Sequence, residues 1–408
     1  MARAGAGRRR AVAAGIVVGF AVGSNVANVG AVATSLASSY GVSLTVVGLF
    51  TTALFVTHTS IQIPGGQAID RLGARRLAFA ALVTICVGNG LALIVSDPAL
   101  ALSTRALTGL GTGIGFIAGS DYVRAAGGSP LAQGLFGGFG VAGGGFALAV
   151  VPQLERAVGW RAPFLLSVAL GLVALAALLL APLRVAVART FSGARATAFQ
   201  VIGDRRLYRI AVMHTAAFGI SVVAGNWVVT LLERHGYGTN LASLLGALTL
   251  SVSVLSRPLG GWLIHDRPRS TRLACGISLG AGAAASAGLA ASGPVPLAVA
   301  STVTLGLAAG IPFAPAFAGA ARVRPDAPAA AIGMINMCGS LLIVTATPLV
   351  GLTFSLPGDG RIGFLALAVV WAAALLVLPS DAQLSAQPRD DFARRQGSNG
   401  QPRCQAPG

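Results

Sequence analysis

Twelve apolar runs, separated by short stretches that carry Arg, Pro or Asp, set the terms for any fold this chain can adopt. They cover residues 11–36, 44–67, 77–96, 99–120, 131–153 and 162–182, and then 207–231, 241–264, 273–292, 296–320, 329–352 and 361–378. A helix needs roughly 20 apolar residues to cross the hydrocarbon core of a bilayer. In lipid every backbone polar group must be satisfied internally, which leaves helices and closed barrels. Barrel strands alternate apolar and polar residues, and these runs do not. The expected fold is therefore an all-α membrane protein with 12 transmembrane helices. Composition agrees: 10% of the 408 residues are charged and 54% are hydrophobic, with a mean hydropathy of +0.77. A soluble chain carries about a quarter charged residues.

The net charge of +17 could suggest a nucleic-acid partner. A nucleic-acid binder gathers its cations on one face. Here all 29 basic residues are Arg, and they lie in clusters between apolar runs. On the predicted topology 24 of them, including Arg257, fall on one side of the membrane, while Arg156, Arg161, Arg234 and Arg361 fall on the other and Arg105 lies inside a helix. Arginine is enriched in cytoplasmic loops, so both termini are expected in the cytoplasm, with no nucleic acid as partner. The Ala, Gly and Arg bias points to a bacterial chain and hence to the inner membrane. The Arg8–Arg10 cluster before an apolar run imitates a signal peptide, but the run is too long for one and reads as a retained first span. Cys86, Cys275 and Cys338 lie in apolar runs and Cys404 in the tail, so no disulfide framework is expected. No Cys/His spacing suggests a metal, and no cofactor is expected.

The two sets of six runs repeat. Tyr40-Gly41 recurs as Tyr237-Gly238 and Gly109–Phe116 as Gly306–Phe313, both at a spacing of 197, while Asp70-Arg71 recurs as Asp266-Arg267 at 196. Such repeats build midplane binding sites between two rocking bundles in many secondary transporters. The expected units are a six-helix bundle over 1–183, a cytoplasmic linker over 184–206, a second bundle over 207–379 and a polar, disordered tail over 380–408.

The most specific local pattern follows the second run: Gly66-Gln-Ala-Ile-Asp70-Arg71-Leu-Gly73-Ala-Arg75-Arg76. Gly66 permits close helix approach. Asp70 can face the positive end of another helix, and the arginines suit an anionic leaflet. The segment resembles the signature loop of the major facilitator superfamily, Gly-x-x-x-Asp-Arg-x-Gly-x-Arg-Arg, at every defined position. The resemblance covers residues 11–380 and implies two pseudo-symmetric six-helix bundles in a monomeric transporter. It assigns gating to Gly66, Asp70, Arg71, Gly73, Arg75 and Arg76, with Asp70 latching near Pro328. The second copy, ending in Asp266 and Arg267, has one extra residue after its glycine pair and lacks the later glycine, so its latch is expected to be weaker.

Within the spans, Arg105 is similar to the Arg of the superfamily's fourth helix and reads as the one charge well inside any helix. Such a charge is costly and usually functional. No Asp or Glu is expected within a helix. His58 and His214 are the remaining titratable candidates, and Asn25, Gln62 and Asn336 are further polar ones. The superfamily lines its cavity with helices 1, 4, 7 and 10, which favours Arg105, Asn28 and Asn226, with His58 beside them, as substrate contacts. A membrane enzyme would need a catalytic constellation at one depth, and none is visible. A channel would need a filter or a charged ring. The absence of a nucleotide-binding loop points to a gradient, a proton or another coupling ion, as driving force. One buried cation without an acid favours a small anionic solute, moved by alternating access. Proton-coupled efflux of neutral or amphiphilic drug-like compounds is the alternative.

Overall fold

The computed structural model describes residues 2–182, 196–291 and 293–384. Most of the expected linker and most of the tail lie outside these residues. The helices are α1 (Ala2–Ala27), α2 (Ala33–Tyr40), α3 (Leu44–Ser60), α4 (Gln62–Leu72), α5 (Ala74–Leu91), α6 (Pro98–Ala125), α7 (Pro130–Val158), α8 (Ala162–Leu180) and α9 (Ala198–Ile202). They continue as α10 (Arg205–His214), α11 (Ser221–Arg234), α12 (Thr239–Asp266), α13 (Thr271–Ala291), α14 (Val295–Gly310), α15 (Phe313–Val323), α16 (Pro328–Leu352), α17 (Arg361–Leu375) and α18 (Asp381–Leu384). Among the described residues eight helical stretches are long and apolar enough to cross a membrane, or nine with the α3–α4 pair counted as one span. One of the eight, Pro130–Leu180, contains both α7 and α8. With α1–α2 and the shorter apolar α17, the architecture is twelve spans in two bundles of six.

Several spans are broken, each for a local reason. The α3–α4 pair bends by 50° where Pro64, lacking an N–H, cannot continue the ladder. Pro312 separates α14 from α15. The missing donor frees the carbonyl of Ala308, four residues earlier, and Ser278 on α13 donates its hydroxyl to that oxygen at 2.6 Å. Such rescue by a neighbouring hydroxyl is how a membrane helix tolerates an interruption. Between α10 and α11 the chain runs as a π-helical segment, Thr215–Ile220, a geometry enriched at functional sites.

In the first bundle α1 packs on α6, α7 and α8, and α5 on α6 and α8; in the second α12 packs on α14, and α13 on α14 and α17. Large apolar side chains such as Leu180, Leu255 and Val369 remain exposed, as expected where the solvent is lipid. The described part of the linker is fastened to the second bundle. Asp204 pairs with Arg206 at 2.7 Å and with Arg324 at 3.7 Å, and Arg324 pairs with Asp326 at 2.6 Å. The hydrogen bond from Arg206 holds the Asp204 carboxyl below the usual carboxylate range.

Candidate functional site

The two bundles meet along two seams, α4 and α3 against α16, and α7 against α12. Both seams are built on glycine. A Cβ on Gly66 would lie 2.6 Å from Ala330 Cα, and one on Gly333 would collide with the Gln62 carbonyl. At the other seam a Cβ on Gly134 would collide with the Arg257 carbonyl and lie 2.7 Å from Pro258 Cα, while one on Gly261 would meet Pro130. Backbone therefore rests on backbone, as small residues allow in membranes. An aromatic group completes the contact: Phe116 of α6 meets Phe313 and Phe317 of α15 edge-on, at 6.4 and 6.0 Å between ring centroids. These contacts gather at the end of the molecule that carries Asp70. Farther toward the opposite end, a Cβ on Gly30, Gly48 or Gly145 would meet no atom within 4 Å.

Asp70 sits at the first seam. Its two carboxylate oxygens accept the backbone N–H groups of Ala329 and Ala330, each at 3.1 Å. These are first-turn amides of α16, which has no side-chain N-cap of its own. The carboxylate thus supplies the missing acceptor and a negative charge at the positive helix end. Gly73, with φ of 93°, lets the chain leave α4 and start α5 at once. Arg75 donates to the carbonyls of Leu178 at 2.8 Å and Ala181 at 3.1 Å. It therefore caps the end of α8 rather than serving only the leaflet. Arg71 and Arg76 are exposed. At the second seam the arrangement differs. Ser129 already caps α7 by accepting the N–H of Ala132. Asp266 and Arg267 are exposed at the end of α12, and Asp266 makes no side-chain hydrogen bond or ion pair with the described residues.

The interior candidates are dispersed. Arg105 is 1% exposed. It donates Nη2 to the Asn25 carbonyl at 2.9 Å and Nε to the Phe50 carbonyl at 3.4 Å, while Nη1 has no acceptor among the described residues. Asn28 donates to Ser167 Oγ at 2.9 Å and to the Pro163 carbonyl at 3.2 Å, and its own oxygen accepts the N–H of Val29. That amide ties α1 to α8. His58 Nδ1 lies 3.0 Å from Thr112 Oγ1 and ties α3 to α6. Asn226 is exposed on α11. No hydrogen bond joins these four side chains to one another.

Two expectations fail here. Arg105 is not the one charge inside a helix. Arg257, counted as a borderline member of the basic side although the expected run 241–264 contains it, is buried in α12 with 3% exposure, where the Gly137 carbonyl and the Phe313 ring hold its guanidinium inside the protein. Nor are the helices free of acids, since α6 runs on past Asp121, which is buried and pairs with Arg124 at 2.6 Å. A polar group in the second bundle also stands out. His214, fully buried, stacks on Phe218 and lies 3.5 Å from Asn336 Oδ1. It ends α10 at the start of the π-helical segment.

The profile of the Major Facilitator Superfamily matches residues 14–347. The chain belongs to the major facilitator superfamily. Among solved structures it is similar to the superfamily transporter FucP in the outward conformation, with a TM-score of 0.70 and 16% identity over 93% of this chain and 99% of that one. A variant of the E. coli fucose:proton symporter FucP gives 0.65 and 16% over the same shares. The proton:xylose symporter XylE gives 0.71 and 14% identity over 91% of this chain and 95% of that one. At these identities the likeness carries the fold. No curated protein sequence matches significantly. A superfamily fold makes the chain a multi-pass membrane transporter, and the two glycine seams are the surfaces along which its bundles meet.

Proposed function

We propose that this superfamily member is a secondary active transporter that moves a small anionic solute across the bacterial cytoplasmic membrane by alternating access. Both termini and the Asp70 end face the cytoplasm, as the distribution of arginine supports. In that orientation the glycine contacts at the Asp70 end support a state closed toward the cytoplasm. The protein works as a monomer, driven by a proton or another ion. The observation that carries the anion reading is Arg105, a guanidinium buried among α1, α3 and α6 whose Nη1 lacks an acceptor among the described residues. A buried charged donor without a partner is expensive, and an oxyanion arriving from the cavity would satisfy it. Asn226, a polar side chain exposed within a span, contributes from the opposite bundle. Asn28 and His58 hold the first bundle around Arg105. The gating set of Gly66, Asp70, Arg71, Gly73, Arg75 and Arg76 controls the first seam, with Asp266 and Arg267 at the matching position of the second.

The test is a panel of labelled carboxylates, inorganic anions, sugars and amphiphilic cations, assayed for uptake and efflux in proteoliposomes under imposed pH and sodium gradients. Saturable movement of an anion that is lost in Arg105→Ala supports the reading. Movement confined to neutral or amphiphilic compounds, indifferent to Arg105, replaces it with drug-like efflux.

A further inference from the structure

The two seams are related by the repeat, but they are not held alike. Gln62 stands four residues before Gly66, and Arg257 stands four residues before Gly261. The carbonyl of each receives a glycine of the opposite bundle, Gly333 and Gly134 respectively. The first seam has the Asp70 contact with α16. The second has no such contact, because Ser129 occupies the α7 amide and Asp266 stays exposed. In its place is a cation. Arg257 donates Nη1 to the Gly137 carbonyl of α7 at 2.7 Å. Its guanidinium carbon lies 4.5 Å from the Phe313 ring centroid, and Phe313 packs on Phe317, the centroids 4.3 Å apart. Gly137 has to be glycine for this, since a Cβ there would collide with the Phe313 ring. One side chain of the second bundle thus binds the backbone of the first bundle and the aromatic group that plugs the closed end.

We infer that Arg257 is the second latch of the transporter, a positioning residue that closes the Asp70 end through Gly137 and Phe313 and does at the second seam what the Asp70 carboxylate does at the first. A charge needs such an arrangement in a lipid-surrounded interior. A carbonyl and a ring face both offer negative potential, and a cation over a desolvated ring is well stabilised. Arginine suits the double task because its planar group can stack and donate at once, whereas an ammonium cannot do both. When the end opens, α7 leaves α12 and the hydrogen bond to Gly137 breaks, while Phe313, which stays with Arg257 in the second bundle, parts from Phe116 of the first. The latch therefore acts on one conformation only, which is the condition for shifting an equilibrium.

The inference rests on alternating access, but its readout needs no substrate. In full-length protein with the four native cysteines replaced by serine, a cysteine at Ala330 reports opening at the first seam, away from Arg257. A cysteine at Asn226 reports access from the opposite side. Arg257→Ala should raise the rate of maleimide labelling at position 330 about tenfold and lower the rate at 226, with Arg257→Lys between it and the parent. Phe313→Leu should move both rates in the same directions by less. A merely loosened fold would raise both rates, and that outcome overturns the inference, as do unchanged rates in folded Arg257→Ala. Should Arg257→Ala fail to fold, Arg257→Lys and Phe313→Leu decide, and unchanged rates in both overturn it. If no substrate is ever transported while the reciprocal shift is seen, the latch stands and the reading of the cargo falls.

Discussion

Arg105 shows how much a single side chain can be made to do in lipid. Two of its nitrogens fasten α6 to the carbonyls of Asn25 and Phe50, and the third is left without an acceptor among the described residues. Removing a charge-assisted hydrogen bond costs about 1.5–3 kcal/mol, or roughly 10- to 150-fold in affinity. Arg105→Ala should therefore weaken anion binding by that factor, measured by equilibrium binding to purified protein. Arg105→Lys should lose nearly as much, because an ammonium cannot hold two carbonyls and a ligand in one plane. Equal affinity in the parent and a folded Arg105→Ala would show the residue to be structural. Arg105 and Asp70 were both legible in the sequence, one as a charge in an apolar run and the other inside a full signature. Arg257 was not, because an arginine in the last turns of an apolar run can reach out to the membrane surface or turn inward, and its partners Gly137 and Phe313 are distant in sequence. Asn28 was legible as polar and central, but not as already engaged by Ser167 and Pro163.

Helix ends and breaks carry the next level of control. The N-terminus of α16 depends on a carboxylate from the other bundle, whereas the N-terminus of α7 carries its own Ser129. Asp70→Asn retains one acceptor but loses the charge at the helix end, a change of about 0.3–2 kcal/mol, enough to move a two-state population several-fold. The expected result is a folded, membrane-inserted protein whose transport rate falls while its melting temperature stays near that of the parent. Unaltered transport kinetics in proteoliposomes would remove Asp70 from gating. The break at Pro312 gives a contrasting case. Ser278→Ala strips the Ala308 carbonyl of its donor and should cost about 1–3 kcal/mol, seen as a lower melting temperature, with restoration when Pro312 is also replaced by Ala. That the apolar runs were helices was readable from length alone. Their kinks were not, because a proline in a span announces a missing hydrogen bond without saying which neighbour repairs it.

At the scale of the molecule the design is two bundles whose glycine contacts gather at the Asp70 end. The proposed topology rests on the arginine distribution and is directly testable. Single cysteines near Pro294 and Gly358 should react with an impermeant reagent applied to intact cells, and one between Arg184 and Arg209 should not. Labelling of that linker from outside would invert the orientation. Twelve spans and a duplicated unit were visible as apolar runs and recurring motifs. The pairing of α4 with α16 and of α7 with α12 was hinted at only by the placement of Asp70 near Pro328, since contacts between bundles leave no periodic mark in either. The glycine seams, finally, set what kind of damage a small mutation does. A methyl group at Gly66 or Gly261 would meet backbone atoms that cannot turn aside, yet the bundles themselves need not be disturbed, because the whole seam can part. Gly66→Ala should therefore act as a doorstop. The protein should remain folded, wedged open at the Asp70 end and accessible to solutes from that side, with its position-330 cysteine permanently reactive and net transport abolished.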